Sequence, residues 1–348
     1  MSKLYSQISG WGKYVPEKVL TNQELEKMVD TSHEWIVQRT GISERRIAAE
    51  NETTATMSVA AARQALEVAN LTPAGLNLII VSTSSPDYFV PAVSSTIQAM
   101  LGATCPAFTL VTGCTGFVYG LVTAHQFIAA GAYQNILVVG VEIISRFVNW
   151  QDRNTCVLFG DGAGAVVVTP SDSPRGVLAF DLGSNGEQGH HLMLEGGGVV
   201  NPMSHEVIDR GQNYLSMNGR EVFKFATRVL PQSLNSILAQ SNLTLDDINL
   251  LIPHQANARI IDSAVRALKF DSEKVFLNLH KYGNTSAASI PIALVEAVEE
   301  GRIKTSDKIA LVSFGAGLTW ASAIIQWGAL PLAVNGPDAN TVTHPTSA

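Results

Sequence analysis

Apolar positions along the chain fall into two periods. Residues 76–82, 108–111 and 135–141 are short runs with hydrophobic side chains on both faces, which predicts strands covered on both sides. Helical periods over 54–69 and 92–101 predict helices, and 117–130 is apolar all round, as a helix inside a large domain would be. Residues 5–10 predict a first strand, and 20–25 a short helix with Asn22 as its N-cap. The glycine run at 160–164 is followed by Val166, Val167 and Val168 where a nucleotide-binding loop needs a helix, so it predicts a tight turn into a strand. From Tyr88 to Val141 there is no Asp, Glu, Lys or Arg. That predicts burial, in the core or in a subunit interface.

Composition narrows the picture. The 348 residues are 46% hydrophobic and 15% charged, with 28 Gly, which fits a compact α/β enzyme large enough for two packed halves. A net charge of -7 argues against nucleic-acid binding and leaves any anionic ligand to a local basic patch. The N-terminus lacks a signal-peptide hydrophobic region, and Pro91, Gln98, Pro106 and His125 interrupt the uncharged stretch, so no membrane partner is expected. Cys105, Cys114 and Cys156 form no Cys-x-x-Cys pair, which points to a reducing, cytoplasmic setting without a metal.

The second half repeats the first. Leu71-Thr72 with 76–80 (Leu-Asn-Leu-Ile-Ile) recurs as Leu243-Thr244 with 248–252 (Ile-Asn-Leu-Leu-Ile), an offset of 172 (243 − 71). Gly131 with 135–139 resembles Gly301 and the run ending at Val312 at roughly the same offset. On this alignment Cys114 faces Asn284 (284 − 114 = 170), each in the turn before an apolar helix. Strands alternating with helices predict parallel sheets, with sites at the carboxyl ends of the strands.

Three residues then stand out. Cys114 lies at a strand-to-helix turn, where free N–H groups and the helix dipole favour a thiolate and cysteine pKa values fall to about 3.5–7.5. His254 ends a buried run, 250–253, and Asn284 follows Gly283. A thiolate, an imidazole donor or base and a neutral amide are the parts of thioester chemistry. Residue order also allows a papain-like Cys/His/Asn hydrolase, although the Cys-Gly-Ser-Cys-Trp signature is absent. A catalytically silent binding protein is the non-enzymatic alternative.

The stretches 30–41, 113–117 (Gly-Cys-Thr-Gly-Phe), 159–164, 217–224, 254–257 (His-Gln-Ala-Asn), 281–288 (Lys-Tyr-Gly-Asn-Thr-Ser-Ala-Ala) and 314–320 resemble β-ketoacyl-acyl carrier protein synthase III over residues 5–328 or so. The resemblance implies an α/β thiolase-like fold: two similar halves related by a pseudo-twofold axis, layered αβαβα. The N-terminal half (1–172) carries the cysteine, the C-terminal half (173–328) carries the histidine and asparagine, and 329–348 is a flexible tail. It implies an acyltransferase that takes an acyl group from acyl-CoA onto Cys114 and condenses it with malonyl-acyl carrier protein. A relative of secondary metabolism with the same fold, or a thioester hydrolase, is the alternative.

By the same resemblance, the site is Cys114, His254 and Asn284, with the backbone N–H groups of Cys114 and Ala316 as the oxyanion hole. CoA would meet Trp35, Arg39, Arg153 and Asn257, and the carrier protein Lys224, Gln255, Arg259 and Arg266. Phe89 would line the acyl pocket of the partner in a homodimer. No cofactor is implied; acyl-CoA and the malonyl carrier are substrates. Asp262, between Arg259 and Arg266 on a helix, offers a salt-bridge ladder as a competing role for those arginines. The chain departs from the family pattern at Thr109, at Gly113 where alanine is usual, at Ala267, and at Ala316 within a run of three glycines.

Overall fold

The computed structural model describes residues 5–328, so the expected tail lies outside the described residues. The first half contains β1 (Tyr5–Tyr14), β2 (Val19–Thr21), α1 (Asn22–Leu25), α2 (His33–Thr40), β3 (Glu44–Arg46) and α3 (Thr54–Val68). It continues with β4 (Leu78–Ser82), α4 (Val93–Leu101), β5 (Ala107–Leu110), α5 (Gly116–Ala129), β6 (Ile136–Glu142) and β7 (Gly162–Ser171). The second half opens with β8 (Gly176–Ser184), β9 (Leu192–Leu194), α6 (His205–Asp209), β10 (Leu215–Met217) and α7 (Gly219–Ser241). It ends with β11 (Leu250–Pro253), α8 (Ala258–Leu268), α9 (Leu279–Tyr282), α10 (Ser289–Glu299), β12 (Lys308–Gly315) and β13 (Thr319–Gln326). Among these helices none is long and apolar enough to cross a membrane.

Two sheets of matching order form the frame, β1-β7-β6-β4-β5 and β8-β13-β12-β11. A single parallel bridge from Leu251 to Val275 stands where the second half would have its counterpart of β5. The repeat is therefore real, and β4 and β11 begin 172 residues apart (250 − 78). Its register shifts slightly at the site. The turn before α5 corresponds to the one at Ser286–Ala288, since α5 and α10 start 173 apart (289 − 116), and Asn284 lies just ahead of it.

Side-chain alternation explains the layers. Leu78, Ile80, Ile136 and Val138 turn inward to α5 and α10, while Ile79, Val81, Leu137 and Val139 meet α3 and α4 on the outside. In the second sheet Leu250, Ile252, Ile309 and Leu311 face the same central helices, and Leu251, Ala310 and Val312 face α7 and α8. This gives the αβαβα sandwich, with α5 and α10 in a core shared by both sheets.

Several expectations need correction. The sheets are mixed: only β6-β4-β5 and β11-β12 are parallel, because β7 and β13 return without a crossover helix and must pair antiparallel. Thr21, not Asn22, caps α1, forming a capping box with Glu24; Asn22 is buried and holds Arg45. β5 is not covered on both sides. It is the half-exposed edge of its sheet, and Val111 beyond it is 67% exposed.

Candidate active site

Cys114 sits in a 3-10 turn, Gly113–Thr115, between β5 and α5. The turn after β12 closes on it. A Cβ at Gly315 would stand 2.7 Å from the Cys114 nitrogen, so only glycine permits the approach. Ser313 Oγ donates to the Cys114 carbonyl at 2.9 Å, fixing the two turns together. Ala316 thereby lies against the Gly113–Cys114 backbone.

The expected low pKa does not appear. Cys114 is only 9% exposed, and burial pushes its thiol up to about 12. A hydrogen bond from Ser286 pulls the other way, and the Glu142 carboxylate adds to the rise. Sequence showed a helix N-terminus but not the walls around it. Burial favours the thiol in the resting site.

His254 follows β11, its N–H donating to the Val312 carbonyl at 2.8 Å. The ring is buried; Nδ1 lies 2.6 Å from Ser289 Oγ, which also faces the Gln255 N–H at 3.5 Å. Where the serine hydroxyl donates to Nδ1, the neutral ring carries its proton on Nε2. Nε2 has no partner among the described residues. Burial pushes the imidazole pKa down to about 3, so it is neutral, a donor more than a base. Phe314 meets the ring edge-on at 5.4 Å.

Asn284 is held by backbone pairing with β7's approach: its N–H donates to Leu158 O at 2.8 Å, and its carbonyl accepts from Gly160 N–H at 3.0 Å. The Ser286 N–H donates to Asn284 Oδ1 at 2.8 Å. That fixes the amide's orientation and leaves Nδ2 as the free donor.

Cys114, His254 and Asn284 line one cavity of about 280 Å³, with Phe314 on its buried wall. Trp35, Arg39, Arg153 and Asn257 line the same cavity toward solvent. The guanidinium carbons of Arg39 and Arg153 lie 5.8 and 5.3 Å from the Trp35 ring centre. Asn257 caps α8 through the Arg259 N–H (2.9 Å) and donates to the Arg39 carbonyl at 3.1 Å, tying α8 to α2.

The other sequence candidates divide. Lys224 on α7 and Arg259 and Arg266 on α8 are exposed; Lys224 pairs with Glu221 at 2.7 Å, and Arg259 covers Phe223 at 5.8 Å. Among the described residues neither arginine pairs with Asp262, so the ladder does not form. Gln255 is a correction. It is 1% exposed and its amide is consumed by Pro253 O, Phe276 O and the N–H groups of Asn278 and Leu279, so it has no surface for a partner. Phe89 is 83% exposed and lies outside this chain's cavity.

Sequence reasoning missed the residues behind the site. Ser289 orients His254; Ser286 orients Asn284, and its turn packs on the one that carries Cys114. Glu142 lies beneath, and its signal was there: it is the first charge after the uncharged stretch. Arg45 is wholly buried and donates to Leu20 O, Asn22 Oδ1 and Val157 O, bracing the segment that pairs with Asn284.

Residues 108–186 match the model of 3-oxoacyl-[acyl-carrier-protein] synthase III, and 238–327 match that of its C-terminal part. The chain is 51% identical over 93% of its length to a β-ketoacyl-[acyl-carrier-protein] synthase III of Caldanaerobacter subterraneus subsp. tengcongensis, covering 98% of that protein. It is 52% identical to the one from a Roseiflexus species over 93% of this chain and 99% of that one. The crystal structure of 3-oxoacyl-[acyl-carrier-protein] synthase III from Aquifex aeolicus superposes with a TM-score of 0.87 at 45% identity, over 92% of this chain and 100% of that one. Sequence likeness and shared thiolase fold agree, and this chain belongs to the β-ketoacyl-[acyl-carrier-protein] synthase III family.

Proposed function

We propose that the protein primes Cys114 with an acyl group from acyl-CoA and condenses it with malonyl-acyl carrier protein, releasing carbon dioxide and giving 3-oxoacyl-acyl carrier protein, the first step of fatty-acid synthesis. One observation carries this reading: His254 Nε2 is buried without a partner among the described residues, and Asn284, its Oδ1 held by the Ser286 N–H, lines the same cavity as the cysteine. A buried donor without an acceptor costs about 1–3 kcal/mol. Two donors lining one space suit an oxygen that gains negative charge there.

Acyl-CoA enters with its adenine end toward Trp35 and its phosphates toward Arg39 and Arg153, while Asn257 borders the pantetheine path. Cys114 Sγ attacks the thioester, and the tetrahedral oxygen is received by the N–H groups of Cys114 and Ala316. After CoA leaves, the malonyl thioester binds with its carbonyl oxygen between His254 and Asn284. Decarboxylation makes that oxygen an enolate, stabilised by two neutral donors. Its carbon attacks acyl-Cys114. No cofactor enters the scheme.

The acidic carrier protein docks on Lys224, Arg259 and Arg266. The active form is a homodimer: Tyr88, Phe89, Val90 and Val111 expose apolar surface beside the β5 edge, which a second copy would cover, carrying Phe89 to its acyl pocket. The cytoplasm is its compartment, where Cys105, Cys114 and Cys156 stay free thiols. Mass analysis of the carrier protein after incubation with acyl-CoA and malonyl-acyl carrier protein tests the reading. A 3-oxoacyl group extended by two carbons supports it; carrier protein returned without that group contradicts it.

A further inference from the structure

Glu142, at the carboxyl end of β6, is 0% exposed and belongs to none of the ion pairs among the described residues. Its oxygens accept from the Ser84 N–H at 3.1 Å and from the hydroxyls of Thr83 (3.3 Å), Ser85 (2.5 Å) and Ser286 (3.1 Å). A buried carboxylate with only neutral partners is costly to charge and suggests a use for its proton. Ser286 adds a second sign. Its φ of +49° lies in the left-handed region, uncommon for a residue with a side chain, and strain of this kind gathers at working sites. In that conformation the Ser286 N–H holds Asn284 Oδ1 and its hydroxyl donates to Glu142 Oε1, while the Ser286–Ala288 turn packs on the Gly113–Thr115 turn and the hydroxyl lowers the Cys114 pKa.

We propose that Glu142 receives the Cys114 proton through the Ser286 hydroxyl during acylation, stores it, and returns it when the condensation frees the cysteine. The proposal rests on Cys114 being the acylated nucleophile. In acylation the Cys114 sulfur bonds to the thioester carbon as its proton passes to Ser286 Oγ and the serine proton to Glu142. The bond to CoA breaks with its electron pair on sulfur, and the CoA thiolate takes a proton from water. In condensation the malonyl C–C bond breaks, carbon dioxide leaves, and the enolate carbon bonds to the acyl carbon. The bond to Cys114 breaks, and the thiolate recovers its proton from Ser286, which takes one from Glu142. One solvent proton is consumed per turnover, matching the carboxylate lost as carbon dioxide.

The electrostatics suit this traffic. Burial pushes Glu142 up to about 7, with the hydroxyl and N–H bonds restraining the rise, so it gives and takes a proton near neutrality. Burial pushes the Cys114 thiol up to about 12, which favours a proton that leaves as the sulfur attacks. The Thr83–Ser85 turn brings no charge to Glu142, and Asp161 beside β7 is committed to Ser145 and the Ala48 N–H. Cys114 is the titratable neighbour that feels the Glu142 charge.

Single-turnover acylation of the whole chain by acetyl-CoA, read as mass added to the Cys114 peptide across the neutral pH range, tests the relay. Wild-type rates should rise through a midpoint near that of Glu142. Glu142→Gln and Ser286→Ala should each slow acylation by about 100-fold and lose the midpoint. Ser286→Ala keeps the Cβ the backbone already accommodates, so it decides the matter if Glu142→Gln does not fold. Variants that acylate at wild-type rates, or slow down yet keep the wild-type midpoint, overturn the relay. Wild-type protein without an adduct overturns instead the reading of Cys114.

Discussion

Gly113 and Ala316 fit each other beside the Cys114 backbone. A Cβ at Gly113 would lie 3.2 Å from the Cβ of Ala316 and 3.0 Å from its nitrogen, too close for both positions to carry a methyl group without movement. By the resemblance these are two of the positions where the chain departs from the family's pattern, and their contact predicts that the departures compensate. Gly113→Ala alone should push Ala316 N–H off its aim and slow acylation at least tenfold, and it adds strain at φ +58°. Gly113→Ala with Ala316→Gly should relieve the Cβ–Cβ contact but not the one with the residue-316 nitrogen, giving a coupling of about 1 kcal/mol in single-turnover acylation rates. Strictly additive effects would refute the pairing.

Glu142 also makes stability depend on pH. Its folded pKa, about 7, lies above the ordinary 4.5, so its contribution is complete below about 4.5 and is lost as pH rises through about 7. Wild-type protein should therefore lose on the order of 3 kcal/mol relative to Glu142→Gln across that window. Urea unfolding of both proteins at several pH values measures it. A constant difference would place the titration elsewhere.

Asn284→Asp separates the half-reactions. The Ser286 N–H still binds one carboxylate oxygen, but the other replaces Nδ2 with an acceptor facing the enolate. Decarboxylation should fall by about 100-fold or more while acyl transfer from acyl-CoA persists. His254→Ala should behave alike. Carbon dioxide release and adduct formation, measured separately, show whether the split occurs.

The basic residues should also separate by substrate. Arg39→Ala and Arg153→Ala are expected to raise the KM for acyl-CoA several-fold and leave that for malonyl-acyl carrier protein unchanged. Arg259→Glu with Arg266→Glu should do the reverse, with an effect that shrinks at high salt. Steady-state kinetics with each substrate varied decides it.

Much of this was legible in the sequence because it is written in periods. Leu78–Ser82 and Ile136–Glu142 follow from unbroken apolar runs, and the repeat followed from two copies of one pattern. Trp35 and Cys114, which the quoted motifs assign to one site, line one cavity. What the pattern could not show is what closes on what. Gln255 looks like a surface residue after His254 until Phe276, Asn278 and Leu279 consume its amide. Cys114 looks activated at a helix N-terminus until Gly315 and Ser313 bury it. Ser286 looks like filler in Asn-Thr-Ser-Ala until its left-handed backbone turns its hydroxyl to Glu142, 144 residues away in the chain.

The most direct measurement is peptide mass spectrometry of the protein incubated with acyl-CoA alone and then with malonyl-acyl carrier protein. The account predicts one acyl group on the peptide containing Cys114, stable until the malonyl carrier is added and then discharged with the 3-oxoacyl product. Release as free acid without the malonyl carrier, or no adduct on Cys114, would contradict it.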